Sequence, residues 1–239
     1  MRIWIYAALL VVWGNAASGL LGGTSRLPGG SLEFLGAGLA LIAISVAFAR
    51  ALGLDAVAVG LNRMGFARGA AVGAGLGLVG ATAAVGALRL VAPAIVGQPV
   101  EYSPLAQVTD FELSRHVLMF LPLGTVIPEE LAFRGVLLGV LLRRMRQRDA
   151  LIISGAAFAL WHLGVAIVTV DDTTLGSPSP HFGLAVVVAL AVVLLGGTAL
   201  AWIRLRTRSL ATTIALHWTF NGGLLLGLSY TRVPAECCG

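Results

Sequence analysis

The sequence predicts an all-α membrane protein, a polytopic bundle of about seven transmembrane helices with its N-terminus in the cytoplasm. Hydrophobic residues make up 58% of the 239 and charged residues only 11%, whereas soluble domains carry about 25% charged residues. Apolar runs of about 20 residues, enough to cross a bilayer, recur along the chain. The arginines collect at the ends of these runs, which is the pattern that sets orientation in membrane proteins.

The N-terminal half holds three of the predicted spans, at about 1–21, 32–48 and 69–88. The first resembles a signal peptide in its opening residues, but its apolar character continues to Leu21, which favours an uncleaved span. Asn15, within it, is expected to make an interhelical hydrogen bond. Residues 53–68 are too polar to cross and are predicted to lie at the membrane interface. The third span is rich in glycine and alanine, which suits close helix packing.

The C-terminal half holds the other four predicted spans, after a polar loop at about 92–115. They cover about 116–142, 150–170, 182–203 and 210–230. Pro122 and Pro128 are expected to kink the first of these, because each proline removes a backbone hydrogen-bond donor. A short acidic loop is predicted at 171–181.

The distribution of arginine between the two sides of the membrane predicts the orientation. One of the sixteen arginines, Arg134, lies in the middle of a span. Most of the others fall on the cytoplasmic side if the N-terminus is inside: Arg2, Arg50, Arg63, Arg68, Arg143, Arg144, Arg146, Arg148, Arg204, Arg206 and Arg208. The outer side keeps Arg26, Arg89, Arg115 and Arg232. Because arginines cluster at segment ends, the net charge of +5 does not indicate a nucleic-acid partner.

The chain is predicted to form a single membrane domain, 1–239, with a motif-bearing core at about 116–230. Its length leaves little room for a soluble domain. The two cysteines, Cys237 and Cys238, are adjacent. They therefore cannot form a C-x-x-C pair, a zinc knuckle or a disulfide framework.

Two adjacent carboxylates and an arginine interrupt the apolar run that begins the C-terminal core. A charge near the centre of a bilayer costs about 2.5–3.5 kcal/mol on translocon-insertion scales. These side chains are therefore expected to have a structural or functional role. Glu130 and Arg134 are four residues apart, and in a helix they lie on one face and can pair. Glu129 points about 100° away from Glu130 and has no partner at helical spacing. The pattern predicts one structural glutamate and one free glutamate within the membrane.

Polar side chains on three different spans are predicted to lie at one depth. Counted from the cytoplasmic ends of the spans at about 1.5 Å per residue, they lie about 14–21 Å deep: Glu129, His162, His217 and Asn221. Phe158 precedes His162 by four residues, and His217 precedes Asn221 by four, so each pair shares a helix face. Three helices can therefore direct a carboxylate, two imidazoles and a carboxamide at one cavity.

These residues form three motifs in a fixed order, E-E-x-x-x-R, F-x-x-x-H and H-x-x-x-N, each within an apolar span. In this order they resemble the motifs of the CPBP intramembrane proteases, the family of type II CAAX prenyl endopeptidases and their bacteriocin-processing or immunity relatives. The resemblance covers about 117–226, and no motif position departs from the pattern.

The resemblance implies an intramembrane endopeptidase of the CPBP type that hydrolyses a peptide bond within the membrane. By that resemblance, Glu129 and His162 would activate water, and His217 and Asn221 would stabilise the oxyanion. The supporting residues would be Glu130, Arg134 and Phe158.

The chemistry of these side chains also suits peptide hydrolysis, independently of the resemblance. Peptide hydrolysis needs a base for water and a donor near the developing oxyanion. A carboxylate and two imidazoles with an open position also suit zinc, so Glu129, His162 and His217 are the candidate ligands if the enzyme is metal-dependent. The signatures H-E-x-x-H, G-x-G-D and G-x-S-G of other proteases are missing from the sequence.

Two other functions fit the polar cluster. The first is a catalytically silent immunity or scaffold protein of the cell membrane that keeps the cluster for packing. The second is a proton-coupled transporter, which would also use buried glutamate and histidine, although the chain lacks the repeats typical of transporters. For the protease, the expected partners are the lipid bilayer and a peptide or membrane-protein substrate, whose prenylation the sequence leaves open.

Overall fold

The computed structural model describes residues 2–21, 27, 30–61 and 66–230 of the chain. The secondary-structure elements of this part are helices, with no β-strand among the described residues. The all-α membrane fold is confirmed. The expectations for Arg26, Arg63, Arg232, Cys237 and Cys238 concern residues outside the described part.

Each predicted span corresponds to one helix, except the fifth, which is divided into two, and one short helix lies between the second and third spans. In chain order they are α1 (Arg2–Leu21), α2 (Leu32–Ala51), the short α3 (Ala56–Val59), α4 (Phe66–Val96), α5 (Asp110–Leu141), α6 (Gln147–Trp161), α7 (Leu163–Asp171), α8 (Phe182–Thr207) and α9 (Leu210–Tyr230).

Five of these helices, namely α1, α2, α4, α5 and α8, are long and apolar enough to cross a membrane. The pair α6 and α7 makes a sixth crossing if it is counted as one bent span. Helix α9 has 21 residues but carries His217 and Asn221, and it does not meet the same apolar criterion. The count of five or six, with α9 beside them, is consistent with the predicted bundle of about seven.

Helix α5 begins at Asp110, six residues before the predicted start at His116. The reason is a capping box. The Thr109 hydroxyl accepts a hydrogen bond from the Glu112 backbone N–H, and the Glu112 carboxylate accepts one from the Thr109 N–H at 2.8 Å. Two donors that would otherwise be unpaired at the helix start are thereby satisfied. The predicted loop at 92–115 is shorter than expected at both ends, because α4 also continues to Val96.

Most of α5 is wound as π-helix. The segments His116–Val126 and Leu131–Leu137 are π-helical and flank one α-helical turn, Ile127–Glu130. Pro122 lies inside the first π segment, so the helix passes the proline without ending. π-helical turns occur often at functional sites, and here they bracket the Glu129-Glu130 pair.

The N-terminal helices hold α5 in place through one apolar cluster, which includes the fully buried Tyr6 of α1 and Phe133 of α5. The Tyr6 hydroxyl lies 2.9 Å from the Ser45 hydroxyl of α2 and donates to the Ala132 carbonyl at 3.4 Å. In the apolar interior each of these polar groups needs such a partner. Helices α1 and α2 therefore support the helix that carries the two glutamates.

Helix α9 lies against α4 at very close range. A Cβ added at Gly73 would overlap the backbone carbonyl of Thr212, and one added at Gly77 would overlap the Thr219 side chain. The Thr219 hydroxyl also donates to the Ala74 carbonyl at 3.2 Å. Small residues at four-residue spacing let helix backbones approach in this way. The close packing predicted from the composition of the third span is therefore present, and its partner is α9.

Two loops meet at the end of the bundle remote from the arginine-rich turns. Tyr102 forms an isolated antiparallel bridge with Thr173, and the Ser103 N–H donates to the Asp172 carbonyl at 2.9 Å. Burial, and to a lesser extent the charge of Asp172, raises the pKa of the Tyr102 hydroxyl. That hydroxyl therefore stays neutral at physiological pH. The loop predicted at 171–181 is thus tied to the segment before α5.

Candidate active site

Both glutamates of the charged segment are buried in the bundle. Glu129 is 5% exposed, Glu130 is fully buried, and Arg134 is 1% exposed. An isolated buried charge is costly and is tolerated only where it has partners or a functional role. The partners of the two glutamates differ, and this difference separates their roles.

Glu130 is paired with two residues through one oxygen. Its Oε1 accepts a hydrogen bond from Arg134 Nη1 at 2.9 Å and lies 2.9 Å from His217 Nδ1. The arginine pair is the one predicted from the four-residue spacing. The bond to His217 was not predicted, because it joins helices that are 87 residues apart in sequence. Glu130 thus connects α5 to α9 and fixes the ring of His217.

The fifth predicted span, 150–170, is not a straight helix. Helix α6 ends at Trp161, α7 begins at Leu163, and the two are bent by 48°. His162 is the single residue between them, so the candidate catalytic histidine lies at the break. Neither a proline nor a long polar stretch marks this position, and the helical periodicity of the sequence therefore did not reveal it.

The imidazole of His162 is held in one orientation. Its Nδ1 lies 2.8 Å from the Phe158 carbonyl, which can only accept, so Nδ1 carries the proton in this contact. The other ring nitrogen, Nε2, lies 3.8 Å from Glu129 Oε2. That separation is long for a direct hydrogen bond and suits a small group bound to both atoms. Glu129 Oε2 is buried and has no hydrogen-bond partner among the described residues.

Phe158 forms the wall behind both histidines. Its ring centroid lies 4.3 Å from that of His162 and 6.1 Å from that of His217. The guanidinium carbon of Arg134 lies over the same ring, 3.9 Å from its centroid, a cation–π contact. The position four residues before His162 therefore packs directly against the polar cluster, as its spacing predicted.

Asn221 shares the face of α9 with His217, one turn further on. It is partly exposed, and within the described residues no hydrogen bond to its carboxamide is present. The structure thus brings Glu129, Glu130, His162 and His217 together. It leaves the Asn221 carboxamide available for another partner.

The predicted zinc ligands belong to this cluster but are not arranged as a metal site in the described part of the chain. Among the described residues, no three His, Cys, Asp or Glu side chains are grouped so that they could hold a metal ion. His217 Nδ1 is engaged by Glu130, and His162 Nδ1 by a carbonyl, which leaves one nitrogen of each ring. Zinc binding by Glu129, His162 and His217 therefore stays a prediction.

The fold and the site together define a membrane-embedded helix bundle with a buried glutamate–histidine centre. Residues 112–223 match the family model described as type II CAAX prenyl endopeptidase Rce1-like. The match includes every position of the three motifs and confirms the predicted resemblance to the CPBP family of intramembrane proteases. Searches of curated proteins and of solved structures gave no match.

Proposed function

We propose that this protein is an intramembrane endopeptidase in which Glu129 and His162 activate a water molecule within the bilayer. The observation that carries the proposal is the contact between Glu129 Oε2 and His162 Nε2. These atoms face each other at 3.8 Å, and the carboxylate oxygen has no hydrogen-bond partner among the described residues. A buried carboxylate without a structural partner is costly, and general-base catalysis is a task that requires one.

The tautomer of His162 assigns the two groups complementary tasks. Because Nδ1 donates to the Phe158 carbonyl at 2.8 Å, the neutral ring presents an unprotonated Nε2. A water between the two side chains can donate one hydrogen to His162 Nε2 and the other to Glu129 Oε2. Its oxygen lone pair is then free to attack a peptide carbonyl. Glu129 takes the water proton in this step and returns it to the leaving amine nitrogen when the C–N bond breaks.

The oxyanion formed by that attack needs donors, and His217 and Asn221 are the side chains that we assign to it. With Nδ1 bonded to Glu130 Oε1 at 2.9 Å, His217 can donate to the oxyanion only from Nε2. The proposal therefore requires a doubly protonated His217 ring. The Asn221 carboxamide, which has no hydrogen-bond partner in the described part of the chain, supplies the second donor from the same helix face. Preorganised donors of this kind supply a large part of catalysis in acyl-transfer enzymes.

The proposed substrate is a peptide or a membrane protein that reaches the bundle from the bilayer. The buried position of Glu129 within α5 supports a reaction among the helices rather than in either aqueous phase. Whether the substrate carries a prenyl group is an outcome of the experiment below.

The test compares membrane peptides from cells that express the wild type or Glu129→Gln, by mass spectrometry, and then measures cleavage of the identified substrate by purified protein. Glu129→Gln keeps the size of the side chain but cannot accept a proton, so cleavage should fall at least about 100-fold. His162→Ala should behave similarly. Asn221→Ala should cost about 100- to 1,000-fold, as the loss of one oxyanion donor does.

The matched control is Glu33→Gln, the same substitution at an exposed position in the first turn of α2, which should cleave at the wild-type rate. Wild-type cleavage by a folded Glu129→Gln variant would refute the assignment. If Glu129→Gln instead unfolds the protein, the glutamate is structural and the scaffold function is favoured. A chelator that abolishes cleavage, with recovery on adding zinc, would show that the enzyme requires the metal.

A further inference from the structure

The break at His162 is stabilised by a side chain from a distant part of the sequence. In a continuous α-helix the Gly164 N–H would donate to the carbonyl of Leu160, four residues earlier. Here the carboxamide of Asn15, on α1, lies between the two groups. Its Oδ1 accepts from the Gly164 N–H at 2.8 Å, and its Nδ2 donates to the Leu160 carbonyl at 2.9 Å.

Insertion of a side chain into the backbone hydrogen bonds of a helix is a recognised cause of sharp kinks. It also satisfies two backbone groups at the kink, which lipid could not do. The remaining amide hydrogen of Asn15 donates to the Val11 carbonyl of its own helix at 2.8 Å. Both amide hydrogens and the oxygen of Asn15 are therefore engaged, and the bond to Val11 fixes the carboxamide relative to α1.

The surrounding contact between α1 and the break is shaped to bring Asn15 to this depth. A Cβ added at Gly14 would overlap the indole ring of Trp161, so α1 lies directly against the last residue of α6. One turn further along α1, the Ser18 side chain lies beside Gly164. The Ser18 hydroxyl donates to Gly14 in its own helix at 2.8 Å and makes no bond across the contact among the described residues.

We propose that Asn15 is a positioning residue that sets the orientation of the His162 imidazole toward Glu129. His162 lies between the two backbone groups that Asn15 bridges, and its Nδ1 is bonded to the carbonyl of Phe158 on α6. The direction of its Nε2 therefore follows the backbone geometry at the break. Asn15 precedes the segment 112–223 that matches the family model, so the first helix contributes to the site from outside that segment. The consequence for catalysis rests on the proposed function.

The test observes His162 directly, so that it does not depend on cleavage. The protein, labelled with ¹⁵N at its four histidines, is studied by NMR in detergent, and the His162 ring resonances are identified by their loss in His162→Gln. Asn15→Ala removes the bridge and should shift the Nδ1 and Nε2 resonances of His162. Ser18→Ala is the matched control, since it removes a polar group from the same helix contact without removing a cross-helix bond, and it should leave them in place.

A second variant separates loss of the bridge from loss of folding. Asn15→Ser can still bond within its own helix, as Ser18 does, but its side chain is too short to bridge Leu160 and Gly164. It should shift the His162 resonances as Asn15→Ala does, and kcat should fall by up to about 100-fold, the effect of misplacing a catalytic group by about 1 Å. KM should be unchanged.

Unchanged His162 resonances in the folded Asn15 variants would overturn the proposal, whatever their cleavage rates. If the His162 resonances shift in the Asn15 variants, the positioning role is supported. If cleavage is nevertheless unaffected in these variants and in His162→Ala, the proposed function is refuted. The two failures are thereby distinguishable.

Discussion

At the scale of single residues, the two adjacent glutamates have different partners although they are only one position apart in the helix. Glu130 shares one oxygen between Arg134 and His217, whereas Glu129 Oε2 has no hydrogen-bond partner in the described chain. The arginine pair was predictable, because spacing along a helix fixes which side chains meet. The bond to His217 was not, because it depends on how α5 and α9 pack. Local geometry can therefore be inferred from sequence, but contacts between helices cannot.

The Glu130 pairing gives a prediction about stability. Glu130→Gln and Arg134→Ala each leave a buried charged partner uncompensated, and breaking such a pair typically costs about 3–5 kcal/mol. Both variants should therefore give less folded protein and a lower midpoint of thermal unfolding in detergent.

The control for this prediction is Glu129→Gln, the same substitution one residue earlier, which should unfold close to the wild type. Wild-type yield and thermal stability for both Glu130→Gln and Arg134→Ala would show that the pair is not structural.

At the scale of helices, the sequence predicted which segment packs closely, but not which helix it packs against. Glycine and alanine in the third span indicated close packing, but only the structure shows that α9, which carries His217 and Asn221, is the helix packed against it. The break at His162 illustrates the same limit. Asn15 on α1 bridges the two backbone groups at this break, and this contact with a distant helix gives no signal within the broken span. In contrast, the early start of α5 followed from a capping box, Thr109 with Glu112, that the sequence does contain.

The contact between α4 and α9 can be tested with two alanine substitutions. At Gly73 the new Cβ would overlap the Thr212 carbonyl, whereas nothing lies within 4 Å of a Cβ at Gly75. Both changes bring the same gain in helix propensity, about 1 kcal/mol, so their difference isolates the overlap. Overpacking typically costs about 1–3 kcal/mol, and Gly73→Ala should be less stable than Gly75→Ala by this amount.

Thermal unfolding in detergent, followed by circular dichroism, measures that difference. Because α9 carries both proposed oxyanion donors, Gly73→Ala should also lower cleavage, and Gly75→Ala should not. Equal stability of the two variants would mean that α4 and α9 do not approach as closely as described.

At the scale of the whole molecule, polar side chains from three separate helices meet in one buried layer. Counting residues from the arginine-rich span ends predicted a common depth for Glu129, His162 and His217, and the contacts among these residues and Glu130 agree. Depth could be predicted because the helix rise is constant and the arginines mark one membrane surface. Rotation of each helix about its axis could not be predicted, and the bond between His217 and Glu130 was therefore not foreseen. The cytoplasmic location of the N-terminus stays a prediction.

The last prediction concerns the orientation of the bundle and the path of the bent pair α6 and α7. By length and composition this pair is either one broken span or a re-entrant loop. The arginine pattern predicts a span, with the exposed Gln147 in the cytoplasm and the exposed Ser177 outside. After Cys237 and Cys238 are replaced by serine, a membrane-impermeant maleimide applied to intact cells should label Ser177→Cys. It should label Gln147→Cys only after permeabilisation. The reverse pattern would place the N-terminus outside, and labelling of both from one side would mean that the pair re-enters and that the chain has fewer than seven spans.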